Sequence, residues 1–273
     1  MNKIYENLKE KTPLVHSITN YVTVNDCANI ILAAGGSPIM ADSILEVEEI
    51  TSICNALVIN IGTLNERVID SMIKAGKKAN QIRNPIILDP VGVGASTLRR
   101  ETTFKLLEEI SFSIICGNAS EIKAIYQQGG KTTGEDANEE DKIEEDNLNQ
   151  LVQMCEELSE RTGAIISLTG AIDIVASSDK ANVIYNGNPL MSQVSGTGCM
   201  LSALIGAYCG ANKHDLFNAT TLAVAHMGLA GEIAFKKLEK VQGGTSSYKM
   251  FLIDAISQID YKTLREGVKI ETR

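Results

Sequence analysis

The chain of 273 residues has no tryptophan, few aromatic residues and no long uninterrupted apolar run. A membrane-spanning helix needs about 20 consecutive apolar residues, so the sequence predicts no membrane span. The opening segment, MNKIYENLKEKTP, is charged along its length and lacks the apolar centre of a secretory signal peptide. Together these absences indicate a cytoplasmic protein.

Positive charge is also scarce. The chain has 25 lysines and arginines against 34 acidic residues, which gives a net charge of −9. A protein without a general basic field does not attract a polyphosphate backbone, so we expect no nucleic-acid partner. A small anion held in a local pocket is still compatible with this charge.

Metal and phosphate motifs that can be recognised from spacing are missing as well. The six cysteines form no CxxC pair, and the three histidines lack metal-ligand spacing, so we expect no structural zinc site. Most of the cysteines lie in apolar runs, as free buried thiols do in a reducing compartment. No GxxxxGK[ST] sequence is present, so a phosphate would not be bound by a P-loop.

The chain does have a regular alternation of short Ile- and Val-rich runs with longer segments of helical period. The runs predicted to be buried strands are 56–62, 85–90, 112–118 and 163–170. Residues 67–80 predict a helix, residues 173–187 a hairpin, and the chain from Gly198 onward is mainly helical. Strands separated by helices predict an α/β fold with a largely parallel central sheet flanked by helices. No linker is evident, so we expect one domain over residues 1–273.

The segment GGKTTGEDANEEDKIEEDN, residues 129–147, differs from the rest in composition. It is acidic and nearly free of large apolar residues. We predict a solvated loop or helix start here rather than a metal site. Because it supplies much of the net negative charge, that charge says little about an active site.

The stretch VSGTGCMLSALIGAY places a glycine turn in front of a helical pattern. The residues of the turn are Gly196, Thr197, Gly198 and Cys199. Their backbone N–H groups would lie at the positive end of the helix, which favours an anion such as a phosphoryl group in transfer. The same surroundings are expected to lower the pKa of the Cys199 thiol. The alternative is a structural turn in which Cys199 is a small apolar cap.

Polar side chains also follow three of the predicted strands. Asp89 ends one strand, Asn118 and Glu121 follow another, and Thr169 ends a third. Ligands of parallel sheets bind at the carboxyl ends of strands, and two carboxylates there suit a magnesium–nucleotide complex. The alternatives are an Asp-Pro turn at Asp89, helix capping by Asn118 and Glu121, and a plain turn at Thr169.

These stretches together resemble the hydroxyethylthiazole kinase family, which has a ribokinase-like fold. The resemblance is carried by VHSITNYVTVNDCANIILAAGGSPIMAD and then, in order, by ALVINIGTL, ILDPVGVGAS, GNASEI, LTG and GTGCMLSALIGAY. It covers nearly the whole chain except residues 129–147. It implies phosphorylation of the primary alcohol of 4-methyl-5-(2-hydroxyethyl)thiazole by ATP and Mg²⁺, for thiamine salvage.

The resemblance also implies roles for individual residues. At the thiazole it places Met40, Asn20, Asn25 and Gly196. It places Asp89 and Glu121 at Mg²⁺. It places Asn118, Thr169, Cys116 and Gly198 at ATP. Residues 196–199 would form the anion hole, with Cys199 where many ribokinase-like sugar kinases have an aspartate base. Members of the family look like homotrimers with sites at subunit interfaces, and we expect the same here.

One position departs from the family pattern. The family has Arg-Gly-Asn before ASEI, whereas this sequence has Cys116-Gly117-Asn118. Because that arginine contacts the phosphates of ATP, its absence removes a strong charge-assisted contact. We predict a reduced affinity for ATP, unless Lys123 or a basic residue from elsewhere substitutes.

Three other functions are weighed against a thiazole kinase. A hydrolase with a cysteine nucleophile needs a base near Cys199, for which the histidines give no local signature. His16 in particular is predicted to be a hydrogen-bonded buried residue. A non-catalytic thiazole- or nucleotide-binding protein would account for Cys116. A hydroxymethylpyrimidine kinase of the same fold is disfavoured by the matches at Cys199 and ITNYVTVN.

Overall fold

A computed structural model describes residues 1–128 and 146–273, and within them one sheet organises the chain. Its strands are β1 (Leu14–Ile18), β2 (Ser37–Ile39), β3 (Ala56–Asn60), β4 (Ile86–Asp89), β5 (Ile114–Asn118), β6 (Ile165–Thr169), β7 (Asp173–Ala176), β8 (Ala181–Ile184) and β9 (Ile270–Thr272). Their order is β2-β1-β3-β4-β5-β6-β7-β8-β9. The first six strands run parallel, and the last three extend the sheet antiparallel. The predicted parallel sheet and hairpin are therefore confirmed.

Helices flank this sheet. In chain order they are α1 (Asn2–Lys11), α2 (Val24–Ala34), α3 (Val47–Ile53), α4 (Glu66–Gln81), α5 (Thr97–Glu109), α6 (Ala119–Gln128), α7 (Leu148–Thr162), α8 (Thr197–Ala211), α9 (Leu216–Val241), α10 (Thr245–Gln258) and α11 (Tyr261–Gly267). A short 3₁₀ helix, Pro189–Gln193, precedes α8. The prediction of a mainly helical last third is confirmed, except for β9.

Alternate residues of the central strands enter two separate cores. In β3, Val58 packs into a first core with α2, α8, α9 and α10, whereas Leu57 and Ile59 pack into a second core with α4 to α7. Successive side chains of a strand point to opposite faces, so a strand buried on both faces is apolar throughout. This is why the strand predictions from continuous Ile and Val runs hold.

Helix α4 follows from its sequence. The side chain of Asn65 accepts the backbone N–H of Val68 at 3.0 Å and begins the helix. Val68, Met72 and Ala75 recur at helical spacing and are buried in the second core. The predicted helix at residues 67–80 is therefore confirmed.

Helix α8 lies directly against the sheet and is buried along nearly its whole length. A Cβ atom at Gly206 would come within 2.6 Å of Val58 Cγ2, so only glycine permits this approach. The close packing carries the start of α8 to the carboxyl ends of β1, β3 and β4. The residues after those strand ends and the first turn of α8 form the candidate site.

Two predictions concern parts of the chain away from the site. None of the helices in residues 1–128 and 146–273 is long and apolar enough to cross a membrane. The acidic segment, residues 129–147, lies outside the described residues except for Asp146 and Asn147. Its predicted loop or helix start remains a prediction.

Candidate active site

The turn before α8 is shaped by two glycines with different surroundings. Gly196 has φ +92°, and a Cβ atom there would lie 2.7 Å from Thr23 Cγ2. A Cβ atom at Gly198 would meet nothing within 4 Å. Thr197 turns back and donates its hydroxyl to the carbonyl of Met191 at 3.1 Å. The first turn of α8 has no side-chain cap, so its N–H groups are available to an anion at Gly198.

Cys199 follows this turn and is half-buried, whereas the other five cysteines are buried. Its Sγ accepts N–H from Asn20 Nδ2 at 3.2 Å and from Asn60 Nδ2 at 3.3 Å. Burial and the nearby Asp89 raise the pKa of the thiol, although the hydrogen bonds oppose the shift. The sequence-based expectation of a lowered thiol pKa is therefore wrong, because desolvation outweighs the favourable helix end.

Asp89 ends β4 and is 5% exposed. Its Oδ2 accepts hydrogen bonds from Asn60 Nδ2 at 2.6 Å and from Ser202 Oγ at 2.9 Å. Burial, followed by the negative charge of Glu121, raises the pKa of Asp89 to about 7. Its other oxygen, Oδ1, accepts no hydrogen bond from the described residues and is not fully buried, so it retains some contact with solvent.

Glu121 lies in the first turn of α6 and is hydrogen-bonded through both oxygens. Oε2 accepts the N–H of Asn118 at 2.9 Å, while Asn118 Oδ1 accepts the N–H of Glu121 at 2.9 Å. This reciprocal pair is the capping arrangement weighed from the sequence. Oε1 accepts the N–H of Gly92 at 2.8 Å, and burial raises the pKa of the carboxyl. The carboxylate thus caps α6 and also faces the loop after β4.

Arg99 ties the loops after β3 and β4 together. Its guanidinium donates to the carbonyl of Ile61 at 3.2 Å, to that of Gly62 at 2.6 Å, and to that of Val91. Its charge also acts to lower the pKa of Glu121, against the larger effect of burial. Sequence reasoning missed this residue.

The ends of β5 and β6 form the other side of the site. Asn118 is paired with Thr169 in the sheet, and the Thr169 hydroxyl donates to the carbonyl of Gly117 at 3.3 Å. After β6, the N–H of Gly170 donates to Asp173 Oδ1 at 2.9 Å. Burial raises the pKa of Asp173 to about 7. Two of these contacts join β5 to β6, and the one between Gly170 and Asp173 is local.

Cys116 lies on β5 with its side chain in the first core and is 2% exposed. It is paired with Ser167 of β6. Burial, and then the charge of Asp89, raises the pKa of its thiol. The position where the resemblance leads us to expect a guanidinium is therefore occupied by a neutral thiol. Lys123, the suggested substitute, is half-buried on α6.

The residues implied at the thiazole do not all lie together. Asn20 contacts Asn60 and Cys199 and is 4% exposed. Met40 directly follows β2 and is half-buried against the first core. Asn25 is exposed on α2, where its Oδ1 accepts the side-chain N–H of Asn29 at 2.9 Å. Asn25 is exposed, and among the described residues no hydrogen bond joins it to Asn20 or Cys199.

The predicted role of His16 is confirmed. The imidazole is completely buried, with Nδ1 2.9 Å from Thr51 Oγ1 and Nε2 2.7 Å from the carbonyl of Ala41. These bonds hold the chain next to Met40. Among the described residues, no histidine contacts Cys199.

Two residues of the site were missed from the sequence although each has a signal. Asn60 is the last residue of β3, in the position that Asp89 has in β4, and the two are paired in the sheet. Ser202 lies one helical turn after Gly198, with its hydroxyl toward Asp89. A polar residue at the end of a buried strand is a signal that could have found Asn60.

Comparisons with known proteins show which family the chain belongs to. A model of the hydroxyethylthiazole kinase family matches residues 5–262. The hydroxyethylthiazole kinase of Clostridium acetobutylicum is 54% identical over 267 residues, which cover 98% of this chain and 97% of that relative. The structure of hydroxyethylthiazole kinase from Pyrococcus horikoshii OT3 has a TM-score of 0.87 at 32% identity and covers 100% of this chain and 98% of that one.

A more distant structure shows the wider fold. The pyridoxal kinase of Staphylococcus aureus, solved with AMP-PCP and pyridoxal, has a TM-score of 0.62 at 13% identity over 96% of this chain and 98% of that one. The predicted ribokinase-like fold is confirmed. With the family model and the relatives spanning nearly the full length, the chain belongs to the hydroxyethylthiazole kinase family.

Proposed function

We propose that the protein transfers the γ-phosphoryl group of ATP to the hydroxyl of 4-methyl-5-(2-hydroxyethyl)thiazole, giving the thiazole phosphate used in thiamine salvage. The observation that carries this is the meeting of three features: the open turn at Gly198, the Cys199 thiol, and the free oxygen of Asp89. An acceptor alcohol beside Cys199 would face a phosphoryl group held at the start of α8.

The backbone of residues 196–199 contacts the transferring phosphoryl group in this proposal. Its N–H groups and the positive end of α8 stabilise negative charge on the transferring oxygens. Gly196 permits the turn, and Gly198 leaves it open. Asn118 and Thr169, at the neighbouring strand ends, are proposed to contact ATP.

The carboxylates fit Mg²⁺. Hydrated Mg²⁺ is typically bound by one or two carboxylates together with phosphate oxygens and water, and when bound it neutralises phosphate charge. Asp89 Oδ1 is open to it, whereas both oxygens of Glu121 are engaged by backbone N–H groups, so Glu121 would act through water. The described residues contain no cluster of three or more ligating side chains that could hold a metal ion.

We propose that Cys199 positions the alcohol rather than taking its proton. Burial raises the pKa of the thiol, so the sulfur is protonated near neutral pH. Phosphoryl transfer through a loose transition state needs little early proton removal, so position outweighs basicity. Cysteine in place of a sugar kinase's aspartate leaves room for the hydroxyethyl group.

We also propose a cytoplasmic homotrimer of one-domain subunits with sites at the subunit interfaces. Three exposed apolar side chains that are close in the chain to residues of the site support an interface there. Tyr21 is 79% exposed, Val22 64% and Leu45 88%. Tyr21 and Val22 directly follow Asn20, and Leu45 lies five residues after Met40. Exposed apolar side chains grouped beside a site are typical of a surface that a second subunit covers.

A second candidate is a protein that binds the thiazole but transfers phosphate poorly. It is favoured by Cys116, which is buried and uncharged where the family has arginine. Calorimetry that shows thiazole binding, together with no phosphorylated product by mass spectrometry, would support it.

A substrate panel tests the proposed function. The protein is incubated with Mg-ATP and either the hydroxyethylthiazole, a hydroxymethylpyrimidine or ribose, and products are identified by mass spectrometry. We expect the thiazole phosphate as the main product. Preferential phosphorylation of the pyrimidine or the sugar would contradict the proposal.

A further inference from the structure

Asn60 lies at the centre of the site, and the orientation of its carboxamide is unambiguous. Its Oδ1 accepts the backbone N–H of Gly62 at 2.9 Å. A backbone N–H can only donate, so the oxygen must face it and the amide nitrogen must face the other way. That nitrogen is 2.6 Å from Asp89 Oδ2 and 3.3 Å from Cys199 Sγ.

Asn20 is fixed by the same logic. Its Oδ1 accepts the backbone N–H and the hydroxyl of Thr23, both at 3.1 Å. Its nitrogen therefore faces Asn60 Oδ1 at 3.0 Å and Cys199 Sγ at 3.2 Å. The carboxamides of Asn20 and Asn60 thus both donate to the sulfur.

Both N–H groups of the Asn60 carboxamide are used by partners in the site. A carboxamide has two N–H groups, and Asn60 uses one on Asp89 and one on Cys199. The sulfur accepts two N–H groups, so a proton on it points elsewhere. Asp89 Oδ2 is occupied by Asn60 and Ser202, which leaves Oδ1 as the oxygen that faces a ligand.

We propose that Asn60 is a positioning residue for phosphoryl transfer: its carboxamide sets Cys199 Sγ and the open oxygen of Asp89 relative to each other. Asn20 donates to the sulfur and to Asn60 Oδ1, but makes no contact with Asp89. The kinetic part of this inference rests on the proposed function, because it needs a turnover to measure.

Double-mutant cycles measure separately how Asn60 acts through Cys199 and through Asp89, the two acceptors of its nitrogen. We expect Asn60→Ala to lower kcat for the thiazole on the order of 10²-fold with little change in the KM for ATP, because Asp89 and Cys199 lose a donor while Gly62 and Asn20 lose an acceptor. Asn20→Ala should cost less, roughly 10-fold, and should keep only a small part of that cost in a Cys199→Ala background, through its bond to Asn60 Oδ1. Asn60→Ala should keep most of its effect in that background, through Asp89.

A second double-mutant cycle combines Ser202→Ala with Asn60→Ala. Because Ser202 and Asn60 donate to the same oxygen of Asp89, Ser202→Ala and Asn60→Ala should be non-additive. Additive effects there, or an effect of Asn60→Ala that vanishes without Cys199, would overturn the positioning of Asp89.

Asn182 is the matched control. It is a buried asparagine of β8 whose carboxamide bonds to Thr221 and Thr272, away from the site. Asn182→Ala should leave kcat within about twofold of wild type, so a loss common to both alanine variants would mean a general structural effect. If Asn60→Ala does not fold by circular dichroism, Asn60→Ser is measured instead, and a kcat near wild type again overturns the inference.

A readout without turnover completes the test. Cys199 is alkylated with iodoacetamide in the absence of ATP and Mg²⁺, and the modified peptide is quantified. Fewer N–H donors stabilise less thiolate, so Asn60→Ala and Asn20→Ala should each slow the reaction several-fold. Equal or faster alkylation contradicts the inference. A wild-type protein that makes no thiazole phosphate but shows this slowing would refute only the proposed function.

Discussion

The two sides of the site are built differently. On the α8 side, Asn20, Asn60, Asp89 and Cys199 come from four separate elements and hold one another by side-chain hydrogen bonds. On the β5–β6 side, Asn118 Oδ1 bonds to the start of α6, the Thr169 hydroxyl bonds to the paired strand, and the neighbouring Cys116 carries no charge. The α8 side thus joins side chains from four distant parts of the chain, whereas on the β5–β6 side the bonds join neighbouring strand ends and the helix that follows. Substitutions on the α8 side should therefore cost more.

Asp89→Asn should give the largest loss. Removing the carboxylate that faces Mg²⁺ and the phosphates should lower kcat by roughly 10³-fold. The expected loss is measured by coupled ADP release, and Asn182→Ala, which leaves the carboxylate and its partners intact, is the control for disturbed packing. If Asp89→Asn keeps more than a tenth of the wild-type kcat, the claim that substitutions on the α8 side cost more is contradicted.

The same variant has a predicted effect on stability. Burial raises the folded-state pKa of Asp89 from its ordinary 3.8 to about 7, so the folded protein binds this proton more tightly than the unfolded chain does. The cost of ionising the carboxyl is absent below pH 3.8 and fully present above pH 7, where it is roughly 4 kcal/mol. In urea unfolding, Asp89→Asn should gain stability over wild type as pH rises through this window. A difference independent of pH would contradict the burial of the charge.

Alanine substitutions at Gly196 and Gly198 should have different effects on stability and on kcat. Gly196→Ala puts a Cβ atom 2.7 Å from Thr23 in a left-handed conformation, so we expect a loss of about 2 kcal/mol in unfolding free energy and a kcat roughly 10²-fold lower. Gly198→Ala meets no neighbour and should be as stable as wild type or more so. Its methyl group would lie where the anion binds, so its kcat should still fall. Full activity in Gly198→Ala would show that the anion does not bind at this turn.

Cys116→Arg is the test on the β5–β6 side. A guanidinium at this strand should lower the KM for ATP by about 10-fold through a charge-assisted contact with phosphate. Cys116→Met, which adds length without charge, should not lower it. An unchanged KM for ATP in Cys116→Arg would show that the missing arginine does not weaken ATP binding.

Cys199→Ser should have the smallest effect. A hydroxyl accepts the same N–H groups from Asn20 and Asn60 and occupies similar space, so kcat should stay within about threefold of wild type. A loss beyond 100-fold in steady-state kinetics would mean that the thiol itself takes the proton.

Much of the fold was predictable because its strands are buried on both faces. Continuous apolar runs bounded by glycine, proline or asparagine marked β3 to β6, and the amphipathic period marked α4. Strand β9 was not predicted, because Ile270–Thr272 lies at the sheet edge among polar residues. Its place depends on pairing with β8, which is distant in the chain.

The site was predictable where strand ends carry unusual residues, as at Asp89 and Thr169. It was not predictable where a role depends on packing. Arg99 binds carbonyl groups, which no motif encodes, and Ser202 sits inside an apolar helix. The pKa of Cys199 was predicted in the wrong direction because its burial and the nearness of Asp89 arise only in the folded chain.

Phosphorus NMR of one reaction mixture tests the central claim most directly. The wild-type protein is mixed with Mg-ATP and 4-methyl-5-(2-hydroxyethyl)thiazole, and the phosphorus resonances are followed with time. We expect a phosphomonoester resonance that grows in equal amount with ADP. ADP accompanied by inorganic phosphate, or ATP that stays intact while the thiazole is bound, would contradict it.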